Sequence, residues 1–581
     1  MTPRPRIRRR RSSSRHGHGK AKTPDFVGAL GVLFTTFLLA SVLACGPLIL
    51  GGARLWIDLP LLCGVAALLV LQGLRLTAKP APGLYRRVDA IDLAMLLFVV
   101  YAIVRWLTSP VEYFSRVEVL NVIACAGVFL TCRYGMKSRK HCMALLYALV
   151  ALGTAETAAG YYLSSYPDWL PFGPAEGMQL EFIPRWIGSY DTPNHYASLL
   201  VMVMGATLAL GSFSKLPWSV RIILFYLGLM IVVGVMFSGS RGGWLAMLAA
   251  VLGLVVMGIR NGTMRWWIPV TSGLALILVA AVLFSITPVV QVRLSPALVG
   301  GKADTGVPVL VTEDGLRSAQ DHPLFGSGPG TSVFVHADHP PGAPESVLNP
   351  RYDDYLNCLD DYGLIGLGIV LFFIVAVSLK FFRPLWVDSR WQDRVLVATG
   401  FAAWLALLAH SLFDFNLHVP ANALLFFALV GLALGRIKEE KAGHWSLLSL
   451  DPLGRGLGGA VIVLALAYAV EVARTTVGNN IYETTLARMD VVPISESLDN
   501  AAEALRFDAG NVQAWILTGD LHQMRAQIQE ERSGRLAEAQ KALDAFQQAA
   551  RMNPLDGAIQ RRLDETHKWM ETSGAVTGAG P

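Results

Sequence analysis

Apolar stretches long enough to cross a bilayer as a helix, about 17–25 residues each, recur from Phe26 to Val472. This recurrence limits the fold more than any other feature, because lipid admits only helix bundles and closed barrels as spanning structures. Roughly thirteen stretches meet the length criterion. They lie at 26–50, 55–75, 90–108, 117–133, 142–164, 196–213, 221–238, 244–259, 267–286, 362–379, 395–413, 420–436 and 457–473. Period-two alternation is absent, which excludes a β-barrel. Hydrophobic residues make up 53% of the chain and charged residues 16%, where a soluble domain carries about a quarter charged. The expected fold is therefore all-α, a polytopic transmembrane bundle of about 12–13 spans.

Charge orients that bundle. Arg4, Arg6, Arg8 to Arg11, Arg15, Lys20 and Lys22 precede the first span with no acid among them. Residues 1–24 are thus expected to be a disordered, lipid-facing cytoplasmic tail and not a nucleic-acid arm. The apolar run after it is too long for a removed signal peptide and lacks a small-residue cleavage site. Every second loop is basic: Arg75 to Arg87, Arg133 to Lys140, Lys215 and Arg221, Arg260 and Arg265, Lys380 to Arg394, Arg436 to Arg455. The alternation predicts a cytoplasmic N-terminus and, for an odd span count, an external C-terminal region. The six cysteines show no CxxC pairing and read as small apolar core residues.

Residues 25–473 form the expected membrane domain, with two long external loops at 166–195 and 287–361. Structureless loops of that length are usually functional. After Arg474 the chain turns charged and helical. Trp515 and Gly519, then Ala542, Phe546, Ala549 and Pro554, are spaced like the two helices of a tetratricopeptide repeat with a long insertion between them. Leu498–Leu505 and Ala558–Met570 look like neighbouring repeat helices. Residues 474–572 are expected to be a tetratricopeptide-like external domain able to recruit protein partners, and 573–581 a disordered tail.

Four features of the external face carry chemistry. Arg185 and Gly188–Tyr196 run into a span whose first turn offers backbone donors beside Asn194 and His195; a plain helix cap at Asp191 or Thr192 accounts for the segment about as well. Ser240-Arg241-Gly242-Gly243 places a cation between two apolar runs, an expensive position unless it meets a cavity or an anion. A polyanionic, lipid-linked substrate would explain it. Arg317 precedes the glycine run His322–Gly330, which can expose backbone N–H groups as an anion nest, although most such runs are merely turns and it is the arginine that adds weight. Lastly, Arg351-Tyr352-Asp353-Asp354-Tyr355 and Asp360-Asp361 enter a span, placing carboxylates on a helix face. A later stretch, His410 to Pro420, gathers polar groups at an external membrane edge, where interhelical hydrogen bonds explain it almost as well as function does.

In that order, these motifs resemble the O-antigen ligase and polymerase family over roughly residues 185–435. The matching elements are the Asn194-His195 helix entry, Ser240–Gly243, Arg317 with His322–Gly330, Asp353–Leu356 with Tyr362–Leu367, and His410–Asn422. The resemblance implies metal-independent, cofactor-free glycosyl transfer at the outer face of the bacterial inner membrane. A glycan on undecaprenyl pyrophosphate would be the donor, and a hydroxyl on lipid A core, another glycan or a protein the acceptor. Arg241 and Arg317 would hold the pyrophosphate, with Arg185, Asn194, His195 and Tyr352 lining the substrate. The family pattern has His where this chain has Tyr352, and a phenol of pKa about 10 is a poor base at neutral pH. Asp353 or Asp354 is favoured for that role, with His336 and His339 from the preceding loop as the alternatives and loss of catalysis left open. A transporter of a small or anionic solute is the competing class, but no inverted repeat marks one and the ionisable residues gather at one face and in one long loop, with Arg105 the main intramembrane exception. Ligase, polymerase and protein glycosyltransferase share this pattern.

Overall fold

The computed structural model describes residues 26–48, 55–78, 89–165, 185–190, 192–260, 262, 320–335, 353–382, 390–437 and 454–575. Among them the chain is helical with no strand. The membrane bundle comprises α1 Phe26–Leu48, α2 Leu55–Ala78, α3 Ala90–Leu107, α4 Glu112–Leu130, α5 Arg139–Ser165, α6 Pro193–Phe213, α7 Trp218–Phe237, α8 Arg241–Arg260, α9 Asp354–Phe382, α10 Trp391–His410, α11 Pro420–Leu434 and α12 Gly454–Arg488. Nine described helices are long and apolar enough to span a membrane, and three shorter apolar stretches lie in α1, α2 and α11. The expected polytopic bundle is what forms. The predicted span at 267–286 lies outside the described residues.

Helix ends sort onto two faces. One gathers the starts of α3, α5 and α10 with the ends of α4, α9 and α11. There the buried Arg133 bridges Asp89 and Asp92, Lys380 approaches Asp89 to 3.8 Å, and Arg139 pairs with Asp393 at 2.8 Å. Arg436 donates to the carbonyl of Met136 at 2.5 Å. Members of three of the basic loops thus meet on one face, each cation matched to a carboxylate or carbonyl, as burial of charge demands. The opposite face gathers the end of α3 and the starts of α4, α6, α8, α9 and α11 with the end of α10. α6 runs through the middle, buried along nearly its whole length, while α3, α7 and α9 turn large apolar side chains outward.

α12 continues without a break through residues 473 and 474 and carries the chain into α13 Ile494–Phe507, α14 Val512–Ile528, α15 Arg532–Met552 and α16 Gly557–Ala575. The insertion between the two repeat-like helices is absorbed as helix: only residues 529–531 separate α14 from α15. A Cβ added at Gly519 would lie 2.4 Å from the Phe546 ring, so the absence of a side chain is what lets these two helices close. This unit docks on the start of α4. Arg116 donates to Asp508 at 2.6 Å, both buried, the Tyr113 hydroxyl lies 3.2 Å from Asn479 Oδ1, and Tyr113 packs with Val512, Ala549 and Ile559. The helical tail and the α9/α10/α11 junction therefore share one face.

Candidate functional site

The site forms where α6, α8, α9, α10 and α11 meet. The turn before α8 needs Gly239 at φ +64, after which Ser240 caps the helix by accepting from the Gly243 N–H at 3.1 Å. Arg241 opens the helix and is exposed. At the turn before α8, Arg185 donates to the Ser238 carbonyl at 2.6 Å and to Asn194 Oδ1 at 3.1 Å. Arg185 and Asn194 thereby tie the α6 entry to the α8 entry, which brings two helix N-termini together, each a place where anions are favoured. Thr192 is the α6 cap, accepting from His195 N–H; Asp191 lies outside the described residues.

His195 is buried. Its Nε2 stands 3.9 Å from Asp414 Oδ1, and its ring packs edge-on against Phe415. His410, the last residue of α10, faces the same carboxylate at 4.0 Å and Ser240 Oγ at 3.5 Å. Burial pushes the Asp414 carboxyl above its ordinary value, and His195 and Arg185 pull it back. The next residue, Ser411, donates its hydroxyl to Asp354 Oδ2. Asp354 Oδ1 accepts from the Leu417 N–H at 3.0 Å and lies 3.3 Å from His418 Nδ1. One turn of α10 thus joins the Ser-Arg-Gly-Gly entry to the Asp354 carboxylate. Asp353 has a different task. Its Oδ1 accepts from the N–H groups of Tyr355 and Leu356, capping α9. Its half-buried carboxyl is raised by desolvation, against those two donors.

A cavity of about 160 Å³ opens beneath Asp354 and His418. Glu118, Asn121 and Tyr355 line it near those two residues, and Phe373 and Trp404 line its apolar part. Its volume is close to that of the roughly 150 Å³ engineered cavity that binds benzene.

The glycine run does not form the expected anion nest. The N–H groups of Ser327 and Gly328 go to the carbonyls of Asp360 and Asp361, those of Gly330 and Ser332 go to the Asp361 carboxylate at 2.8 and 3.0 Å, and Gly326 bonds His322. Arg105 donates to the Gly326 carbonyl at 3.0 Å. With its donors engaged, the run is a bracket that grips a kink in α9, where Gly363 takes φ +65. A Cβ there would meet the Leu324 carbonyl carbon at 2.4 Å. Gly363→Ala should therefore cost more than the about 1–3 kcal/mol of a strained backbone alone, because the bracket must also move. A thermal melt that does not shift would show that the bracket is not tight.

Of the residues expected at the site, Arg185, Asn194, His195, Arg241, Asp353 and Asp354 are thus placed around one junction. Arg317, His336, His339 and Tyr352 lie outside the described residues. The sequence alone leaves His410, Asp414 and His418 open between function and interhelical bonding and does not single out Glu118; an acid at the start of an apolar span was the available signal.

These features define a class: a polytopic helical membrane protein with an arginine, imidazole and carboxylate site at one face of the bundle. Residues 225–372 match the family model described as O-antigen ligase. That segment runs from α7 through α8 into α9, and so contains Arg241 and the Asp353–Asp354 entry. The match supports a membrane glycosyltransferase-like function in polysaccharide biosynthesis. No curated protein matches the chain.

Proposed function

We propose that this protein takes a glycan from undecaprenyl pyrophosphate and passes it to an acceptor hydroxyl at the external face of the bacterial inner membrane. The observation that carries the reading is the last turn of α10, where His410 touches the Ser240–Gly242 entry and Ser411 bonds Asp354. In this reading the anion is held at the α8 entry, next to the carboxylate and imidazole groups that this turn joins to it. Arg241, together with Arg317, holds the departing pyrophosphate and counters the charge that grows as the glycosidic bond breaks. Arg185, Asn194 and His195 shape the donor end. Tyr352, His336 and His339 are kept as candidate substrate-contacting and catalytic residues. No metal or cofactor is assigned a role.

The basic face is the cytoplasmic one in this reading, which sets the site and the helical tail outside. Residues 474–572 act as a tetratricopeptide-like unit, supported by the close fit of Gly519 on Phe546 between α14 and α15, and present a surface to assembly partners.

The purified protein in lipid vesicles, given a glycan on undecaprenyl pyrophosphate and an acceptor glycan, is expected to release undecaprenyl pyrophosphate in step with product. Solute movement across the vesicle without donor consumption would instead establish a transporter. Deleting the gene separates the acceptors. Bare lipid A core identifies a ligase, single-repeat chains a polymerase, and altered glycoproteins a protein transferase.

A further inference from the structure

His418 stands between two carboxylates that line the cavity with it. Its Nδ1 is 3.3 Å from Asp354 Oδ1 and its Nε2 is 3.7 Å from Glu118 Oε1. An ionised carboxylate only accepts, so the hydrogen bond to Asp354 puts the ring proton on Nδ1. In the neutral ring, Nε2 then carries the lone pair. Asp354 is itself fixed by the Leu417 N–H and the Ser411 hydroxyl. Its oxygens are already engaged, which suits it to orient the ring and leaves it poorly placed to collect a proton. Asp353 is bound up in the α9 cap. Among the described residues, further acids near His418 include Asp361, in electrostatic reach of both His418 and Glu118, and Asp414, which interacts electrostatically with Asp354 and faces His195 and His410.

We propose that His418 is the general base of the transfer, oriented by Asp354, with Glu118 as the counter-charge for the imidazolium that forms. The proposal rests on the glycosyl-transfer reading above. In the step, the acceptor oxygen bonds to the anomeric carbon. The bond from that carbon to the pyrophosphate oxygen breaks, and its electron pair leaves on the pyrophosphate. The acceptor proton passes to His418 Nε2 and is afterwards released to water. An imidazole oriented by a carboxylate is a recurrent solution for activating a hydroxyl. Here it reaches the site from the segment between α10 and α11, so a histidine at position 352 is not required.

The test uses the full chain in vesicles, with initial rates followed from about pH 5 to 9, the range in which an imidazole base titrates. His418→Ala is expected to lower kcat by about 10²–10⁴-fold, to leave the donor KM within about twofold as expected for an interaction made only in the transition state, and to remove the acid limb of the pH profile. Added imidazole should restore part of the rate. Near-normal transfer by His418→Ala, or a loss that imidazole does not relieve while the acid limb persists, overturns the assignment. Should His418→Ala fail to fold, Glu118→Gln decides: a kcat lowered about tenfold at unchanged donor KM supports the base, and an unchanged kcat overturns it. Wild-type protein that releases no undecaprenyl pyrophosphate overturns the transfer reading and this base together. Active wild type with an active His418→Ala overturns the base alone.

Discussion

Arg241→Ala is expected to lower glycosyl transfer by about 10²–10³-fold, the usual consequence of removing one preorganised group that stabilises developing charge. The melting temperature should stay close to that of the wild type, because the side chain is exposed at the first residue of α8 and the helix is capped by Ser240 and not by the arginine. Arg241→Lys keeps the charge but loses the planar fork that meets two phosphate oxygens at once, so it should recover only part of the rate. Arg185→Ala provides the contrast. That guanidinium joins the α6 and α8 entries through Ser238 and Asn194, and its loss should lower stability and transfer together. Arg241→Ala protein that transfers glycan at the wild-type rate would show that the pyrophosphate does not sit at the α8 entry.

The bundle was legible because its signal is redundant. Apolar length marks the spans, and loop charge marks their ends, so Arg133, Arg139, Lys380 and Arg436 appear on one face as their loops require. The site was legible only in outline. Arg241 and Asp354 stand out from short motifs, yet what joins them is the turn His410-Ser411, whose polar residues suit helix bonding equally well. The glycine run misled for a physical reason: left-handed glycines bind an anion or grip a neighbouring backbone with the same local sequence, and only the position of Asp361 decides between them. Glu118 gave least warning. Its meaning arises from His418, which lies some three hundred residues later in sequence and 3.7 Å away in space.

The largest stability effect is expected at the junction between the membrane bundle and the helical tail. Arg116 is 1% exposed and Asp508 not at all, and they meet at 2.6 Å. Glu112 and Glu471 stand 3.5 and 3.8 Å from the same guanidinium. Removing one member of such a pair leaves a charge in a dry site, which typically costs about 3–5 kcal/mol, whereas replacing both with apolar side chains is often close to neutral. Arg116→Met and Asp508→Leu should each release the tail from α4, seen as rapid proteolysis of residues after α12 and a lowered melt. The double variant should regain much of the protection. Transfer should follow the same order, because one stretch of α4 carries Arg116 into the tail, Ser115 onto the Pro329 carbonyl at 2.8 Å and Glu118 toward His418. A tail that stays protected in both single variants would mean that apolar packing around Tyr113 and Val512 holds the junction. A double variant no better than either single would show that the two charges are not coupled. If the tail is released while transfer continues at full rate, α4 does not connect the tail to the site.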